Sequence, residues 1–388
     1  MRGDSHRESG TRLPIASRSK LIVALLSVAV SALVSLPTVA NATFAFNTDR
    51  YDPRVWVSGN DDGTEATYVG RGLVAQVSPD GELLAYEHGS AFIDGWGLMI
   101  YDVASGKRSV RLMRMHTIGE NTVGERTAFA WSPDSTMVAA LQNERRTGKQ
   151  TLYVIHVRGG GKRRIATGHF RGVSFSPDSK EVVFGLARSG GLLPGIDIAR
   201  APVSGGPIKL LTHDHISGWP LWGPRGQIAF SKRSKSKRWK SRGEVWASGL
   251  FNLFVMKANG GRVKQLTRVG AYEAGFFPAF WLPSGERLVA NFQSFYKNYA
   301  ALVDPKAGTV KPLNPPISGI GRGVGEAGFA AVSLTADEQT VLGCFGSVVV
   351  AGPPLASVPI TGGEPTVLNE DAWSPSWSGL PAVGASPC

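Results

Sequence analysis

WSPDSTMVAAL, residues 131–141, is the stretch that decides the fold, because its pattern recurs along the chain. The pattern is an aromatic or apolar residue, Ser-Pro-Asp, a small residue and then an apolar strand. Two more clear copies occupy residues 77–81 and 175–179, and less complete copies occupy residues 222–226, 281–285, 334–338 and 377–379. Successive copies are about 50 residues apart, a spacing that indicates an internal structural repeat.

Each copy predicts a tight hairpin between two strands. Proline fixes φ for the turn, aspartate accepts hydrogen bonds from nearby backbone amides, and Gly or Ser takes the strained last position. Two copies have lost the aspartate, to Arg225 and Ser284, and several have lost the glycine, so we expect less regular turns there. A second hairpin follows in each repeat, with turns at 105–106, 159–160, 205–206, 260–261, 307–308 and 362–363. Each repeat is therefore a four-stranded sheet.

The two ends of the chain complement each other. Residues 43–70 predict three strands that lack a first strand, and Pro375-Ser376-Trp377 at the C-terminal copy predicts a first strand alone. Joined, they form one composite blade that closes a ring and removes the exposed sheet edges. The sequence therefore predicts an all-β propeller of four-stranded blades over residues 43–388, with seven blades and six as the alternative.

These motifs resemble those of the TolB-like β-propeller family, which is related in architecture to WD-repeat propellers. The resemblance rests on the Ser-Pro-Asp-Gly hairpins, the Leu-Thr pairs at 211–212 and 266–267, and the terminal Pro375-Ser376-Trp377-Ser378 strand, and it covers residues 43–380. It implies a binding scaffold of the cell envelope that docks a peptide or protein partner. The motif residues build turns, so the resemblance implies architecture and no chemistry.

The first 42 residues predict a cleavable export signal. Five cations precede an apolar run at residues 21–36, and Ala40-Asn41-Ala42 offers a small-x-small cleavage site. The alternative is a membrane anchor, which the short run and Pro37 disfavour. We expect an extracytoplasmic protein, periplasmic or secreted, without a transmembrane anchor after cleavage. In that compartment Cys344 and Cys388 could form a disulfide or remain two thiols.

The net charge of the chain indicates the kind of partner. It is +12, and removal of residues 1–42 takes away five basic and two acidic side chains and leaves +9. Such an excess favours anionic envelope polymers or acidic proteins. Nucleic acid is not the expected polyanion, because the protein is exported. The 48 glycines and 24 prolines call for many turns and disfavour a helical bundle.

The long loops predict the binding face. Strand order places both hairpins of each repeat on one face and the variable loops on the other. The largest insertion, residues 231–249, is strongly basic, and a second basic stretch falls on the same face. We predict that these basic residues bind the partner, and the alternative is a solvated basic loop. We also expect a monomer. The predicted binding residues are Lys235, Lys237, Arg238, Trp239, Lys240, Arg145 and Arg146.

Two other groups of residues are predicted to have structural roles and not to bind ligands. His213-Asp214-His215 lacks a third ligand identifiable in sequence, so we predict no metal and no cofactor. The aromatic residues that open the repeats, Trp131, Phe175, Trp222, Trp281 and Trp377, are predicted to be core between blades because they keep one phase.

The choice between scaffold and enzyme favours the scaffold. The propeller leaves no room for a hydrolase domain, and no Gly-x-Ser-x-Gly elbow occurs. A propeller-borne lyase or glycosidase remains the alternative, since its acid and base could come from different blades. Its candidate carboxylates are Glu120, Glu125, Asp214, Glu273, Glu326 and Asp371. No spacing among them singles out a pair, so we predict a non-catalytic scaffold with no assigned catalytic residue.

Overall fold

Strands make up the regular secondary structure of the described chain. The computed structural model describes residues 44–49, 52–59, 65–88, 97–114, 129–143, 149–159, 161–187, 195–241, 244–269, 275–294, 298–314, 328–335, 337–346 and 354–377. All of them lie in the unit formed by residues 41–388. They contain 26 strands and no helix, which confirms the predicted all-β class. The predicted signal peptide lies outside the described residues and stays a prediction.

The composite blade joins the two ends of the described chain. Its order is β26-β1-β2-β3, with the last described strand antiparallel to the first described strand. Its strands are β1 (Phe44–Thr48), β2 (Arg54–Ser58), the first half of β3 (Thr67–Val77) and β26 (Ala372–Trp377). The predicted closure by the N- and C-terminal strands is therefore confirmed.

Two long strands pass directly from one blade into the next. The second half of β3 opens the first blade with β4 (Leu83–His88), β5 (Gly97–Asp102) and β6 (Lys107–Arg114). The second blade contains β7 (Phe129–Trp131), β8 (Met137–Asn143), β9 (Gln150–His156) and the first half of β10 (Lys162–Phe175). The rest of β10 opens the third blade, with β11 (Glu181–Ala187), β12 (Ile196–Pro202) and β13 (Lys209–Leu210).

The last three blades each begin with a strand of their own. The fourth blade contains β14 (Ser217–Trp222), β15 (Gln227–Ser241), β16 (Glu244–Lys257) and β17 (Lys264–Gln265). The fifth contains β18 (Gly275–Trp281), β19 (Leu288–Gln293), β20 (Asn298–Asp304) and β21 (Thr309–Pro312). The sixth contains β22 (Gly328–Leu334), β23 (Thr340–Gly346), β24 (Leu355–Pro359) and β25 (Thr366–Asn369).

Pairing thus sorts the described strands into seven four-stranded sets, and each set contacts the next. The shared strands β3 and β10 link two pairs of blades. Parallel bridges Ile196↔Ile216 and Phe251↔Gly275 link the third blade to the fourth and the fourth to the fifth. An apolar cluster that includes Phe44 and Leu342 joins the sixth blade to the composite one. The number of blades in the complete protein, seven or six, stays a prediction.

The Ser-Pro-Asp hairpins form as predicted. In the first blade the Ser78 hydroxyl donates to Asp80 Oδ1 at 2.5 Å and accepts from the Leu83 amide at 2.9 Å. The last turn position has a positive φ, 77° at Gly81 and 60° at Ser135. The Ser135 hydroxyl also accepts a hydrogen bond from the Asp80 amide of the preceding blade at 3.0 Å. Serine therefore closes its own turn and links it to its neighbour.

The prediction of less regular turns at the altered copies was wrong. Gly226 donates to the Gly223 carbonyl at 2.9 Å and Gly285 donates to the Leu282 carbonyl at 2.8 Å, the same backbone bond that Gly81 makes to Ser78. These glycines also keep the positive φ. The backbone bond and the left-handed residue therefore preserve the turn after the aspartate is lost, because they satisfy its geometry without the side chain.

The aromatic residues that open the repeats are core, as predicted. Trp131 is fully buried, and Phe175, Trp222 and Trp281 are at most 6% exposed. The indole of Trp131 donates to the Gln76 carbonyl at 3.0 Å and that of Trp281 donates to the Leu221 carbonyl at 3.3 Å. Each bond reaches the first strand of the preceding blade, β3 for Trp131 and β14 for Trp281. The side chain of Trp377 lies outside the described residues.

The disulfide between Cys344 and Cys388 stays a prediction. Cys344 is buried in β23, at 1% exposure. Cys388 lies outside the described residues.

Candidate functional site

The fourth blade carries an extension at the place where the sequence predicts the largest binding loop. Its second and third strands, β15 and β16, have 15 and 14 residues, whereas their counterparts in the third blade have seven each. The two strands pair from Gln227↔Lys257 to Ser241↔Glu244, with one register shift between Arg233 and Lys235. We call the distal part, residues 235–250, the arm.

The interpretation of residues 231–249 as a loop was wrong, because most of these residues are strand. A run of cations is typical of solvated loops. Paired strands at a sheet edge also carry lysines, which discourage pairing with other chains. The polarity of the sequence therefore did not distinguish a loop from a ribbon, whereas the pairing of β15 with β16 in the structure does.

The predicted binding residues divide between described and undescribed parts of the chain. Lys235, Lys237, Arg238, Trp239 and Lys240 all lie on β15, and Trp239 stands opposite Trp246 on β16. Arg145 and Arg146 lie outside the described residues. The structure therefore brings five of the seven predicted residues onto one strand.

The two strands of the arm differ in charge. Four of its cations, at positions 235, 237, 238 and 240, lie on β15, and Arg242 follows in the sequence. From Glu244 to Leu250 the sequence of β16 contains one carboxylate and no cation. The arm is therefore a ribbon with one basic strand and one mostly apolar strand.

An ion pair lies at the base of the arm. Lys232 Nζ is 2.9 Å from Asp214 Oδ2, and the same carboxylate accepts from the Ile216 amide and the Ser217 hydroxyl. Burial acts to raise the pKa of Asp214, but the hydrogen bonds from Lys232, Ile216 and Ser217 outweigh it, so its pKa lies below the ordinary value. This ion pair connects β15 to the segment between the third and fourth blades.

His215, which follows Asp214, is held by the carboxylate of Asp197. His215 Nδ1 is 2.5 Å from Asp197 Oδ2, and the His215 amide donates to Asp197 Oδ1 at 3.0 Å. Among the described residues, no group of three His, Cys, Asp or Glu could hold a metal ion.

An aromatic cluster that the sequence analysis missed lies next to this base. The rings of Trp219, Phe251 and Phe277 have centroids 5.2 to 5.4 Å apart, and all three side chains are half-buried. Trp219 has φ 51° within a bulge of β14, a strained conformation for a bulky residue. The cluster joins β14, β16 and β18, so it fixes the base of the arm between the fourth and fifth blades.

Two of the six candidate carboxylates, Asp214 and Asp371, lie among the described residues. Asp214 is engaged by Lys232, and Asp371 is exposed, with its amide donating to Asn369 Oδ1 at 2.9 Å. Glu120, Glu125, Glu273 and Glu326 lie outside the described residues.

Solved structures of similar architecture identify the fold. The chain is similar to a prolyl endopeptidase, with a TM-score of 0.54, 14% identity and coverage of 93% of this chain and 55% of that one. It is also similar to oligogalacturonate lyase from Vibrio parahaemolyticus, with a TM-score of 0.51, 13% identity and coverage of 84% of both chains. The fold is a β-propeller.

The predicted architecture is thereby confirmed. TolB from Acinetobacter baumannii is among the similar structures, with a TM-score of 0.48, 16% identity and coverage of 95% of this chain and 74% of that one. Identities this low show the fold alone. No protein-family model and no curated protein matches the chain.

The described residues contain no helix that is both long and apolar enough to cross a bilayer.

Proposed function

We propose that this β-propeller is an exported, non-catalytic scaffold that docks an anionic partner of the cell envelope through its arm. The observation that carries the proposal is the arm itself, a paired ribbon in which five cations accompany one carboxylate. Clustered cations raise the local concentration of anionic partners and steer their approach. A protein, a peptide or an acidic polymer would each satisfy this requirement.

The arm is separable from the elements that hold the fold. Below it, β15 pairs with β14 through Ser217↔Lys232, and β16 pairs with β17 through Phe254↔Gln265. The four-stranded blade is therefore complete without residues 235–250. Extra length that the blade does not need is expected to serve an interaction.

The export of the protein belongs to the same proposal. The basic, apolar and small-residue segments of residues 1–42 support cleavage and an extracytoplasmic location. The net charge of +9 after cleavage supports an anionic partner. We expect a monomer, because the cations of one arm would repel those of another.

The test neutralises Lys235, Lys237, Arg238 and Lys240 together, each to serine. Binding of the intact and neutralised proteins to polyglutamate, polygalacturonate and phosphatidylglycerol vesicles is measured across a salt series. We expect the intact protein to bind at least one probe and the variant to lose affinity and salt dependence, because its charge interactions are gone. Equal affinity and equal salt slope would contradict the proposal.

A matched control separates the arm from net charge. Neutralising Lys180, Lys209, Lys257 and Lys306, exposed lysines at the hairpin ends of the blades, lowers the net charge by the same amount. We expect this variant to bind as the intact protein does. The melting temperature of all three proteins confirms that they are folded.

The lyase or glycosidase alternative is tested with the same material. Incubation with polygalacturonate should release neither unsaturated nor new reducing ends if the protein is a scaffold. If the variant with the neutralised arm still forms product, the protein is an enzyme whose catalytic carboxylates lie elsewhere in the propeller.

A further inference from the structure

We propose that the arm binds an acidic, extended peptide segment, which adds as a strand to the outer edge of β15. This inference rests on the proposed function and goes beyond it by naming the class of partner and the mode of recognition. Added strands gain affinity from main-chain hydrogen bonds and specificity from side chains that alternate along the edge.

The pairing of β15 leaves this edge open. From Lys235 to Ser241 the strand pairs with β16 on one side. On its other side, β14 accompanies β15 only as far as Lys232. Within the described residues, no strand covers the outer edge of β15 along the arm. Backbone groups on such an edge are available to a further strand.

The cations of β15 favour its outer edge as the docking site and an acidic peptide as the occupant. A strand added to β15 would lie about 4.8 Å from it, beside a stretch of sequence with four cations. Opposite charges across neighbouring strands are stabilising and like charges are destabilising. An acidic peptide is therefore favoured, and a second copy of the same edge is disfavoured.

The edge of β16 offers a comparison within the same ribbon. Along the arm this strand has no cation, so it gives no preference for an acidic peptide. Its lower part is covered, because β17 pairs at Phe254 and Val255 and β18 bridges at Phe251. We therefore assign the acidic peptide to β15.

A peptide explains this surface better than an acidic polysaccharide does. Both would satisfy the cations, but a peptide also supplies amide and carbonyl groups at the spacing of the open edge. The span from Lys235 to Ser241 accommodates a segment of seven residues. The two hypotheses differ in whether the backbone of the ligand matters.

The experiment varies that backbone and keeps the charge. A fluorescent seven-residue peptide of alternating glutamate and valine is titrated with the mature protein at about 0.15 M salt. A second peptide has the same side chains, but its backbone nitrogens are methylated. We expect methylation to weaken binding about ten-fold or more, because methylated nitrogens cannot donate to the strand. Hydrogen exchange should slow at amides of residues 235–241 and not at those of residues 244–250.

Each outcome has one meaning. Equal affinity for the two peptides, weakened by salt, would overturn strand addition and leave the arm as a general anion-binding element. Slower exchange confined to residues 244–250 would overturn the assignment to β15. Absence of binding to both peptides, with polygalacturonate bound, would replace the peptide by a polysaccharide. If no acidic probe binds, the proposed function fails as well.

Discussion

The third and fourth blades start from the same plan and differ in one element. In each, a threonine hydroxyl accepts a hydrogen bond from the third strand at 2.8 Å, Thr212 from the Ile198 amide and Thr267 from the Leu253 amide. In the third blade the second and third strands have seven residues each, while in the fourth they continue as the arm. The shared part belongs to the ring, and the added part is the arm that we propose to be the binding element.

The largest effect is expected where the ring closes. Deleting residues 372–388 removes β26, the partner of β1, and exposes the cluster around Phe44 and Ala372. We expect loss of cooperative unfolding or a fall in melting temperature of about 10 °C or more, because the composite blade loses a whole strand. Deleting residues 378–388 alone is the control, since it keeps β26 and removes Cys388. Equal melting of both truncated proteins would contradict closure by β26.

A core tryptophan should matter next. Trp131 is fully buried, and its indole bonds to the preceding blade. Trp131→Ala should lower the free energy of unfolding by about 3–5 kcal/mol, because it leaves a cavity and an unpaired carbonyl. Urea unfolding measures the change, and Trp131→Phe should retain most of the packing. A change below about 1 kcal/mol would show that the blades do not depend on this contact.

The ion pair at the base of the arm predicts a pH dependence. The lowered pKa of Asp214 means that the unfolded chain binds its proton more readily than the folded one. The stabilisation is therefore present above the unfolded pKa, about 3.9, and is lost as pH falls through the folded pKa. Asp214→Asn should lower stability at pH 7 by about 1 kcal/mol or less, since the group is partly exposed.

The Asp214→Asn variant also tests whether the stabilisation depends on the charge of the side chain. Thermal melts of both proteins between neutral pH and the acid range should show a difference that shrinks below about pH 4. A difference that stays constant with pH would mean that the side chain acts through packing and not through its charge.

The smallest effect concerns a single turn of the ring. Ser135 combines a positive φ with a hydroxyl that accepts from the Asp80 amide. Ser135→Ala should destabilise by about 1 kcal/mol, because it loses the bond and keeps the strained conformation. Ser135→Gly should be nearly neutral, since relief of strain offsets the lost bond. Equal stability of the two variants, measured by urea unfolding, would contradict a contribution from strain, and a Ser135→Ala variant as stable as the intact protein would contradict a contribution from the hydroxyl.

The ring was predictable from the sequence because its determinants are local. Proline, aspartate and a small residue specify each first turn within five positions, and glycines such as Gly106 and Gly260 specify the second with positive φ. The burial of Trp131 and Trp281 followed from their constant phase in the repeat. The composite blade followed from three strands predicted at the N-terminal end and a single strand predicted at the C-terminal end.

The site was less predictable because it depends on contacts that are distant in sequence. The ring contacts of Trp219 come from Phe251 and Phe277 and require a bulge that no motif marks. His215 is held by the carboxylate of Asp197, which lies in β12, 18 residues earlier in the sequence. The ribbon form of the arm was missed because its cations are as typical of a solvated loop as of a strand edge.

We expect binding of the partner to depend on the arm, and folding to depend on the ring. The most direct test replaces residues 235–250 with a short Gly-Asn-Gly turn and titrates a fluorescent acidic peptide with the intact and shortened proteins. We predict that the shortened protein remains folded, with a melting temperature within about 2 °C of the intact one, and that it no longer binds the peptide. Binding of equal affinity by a folded, armless propeller would contradict this expectation.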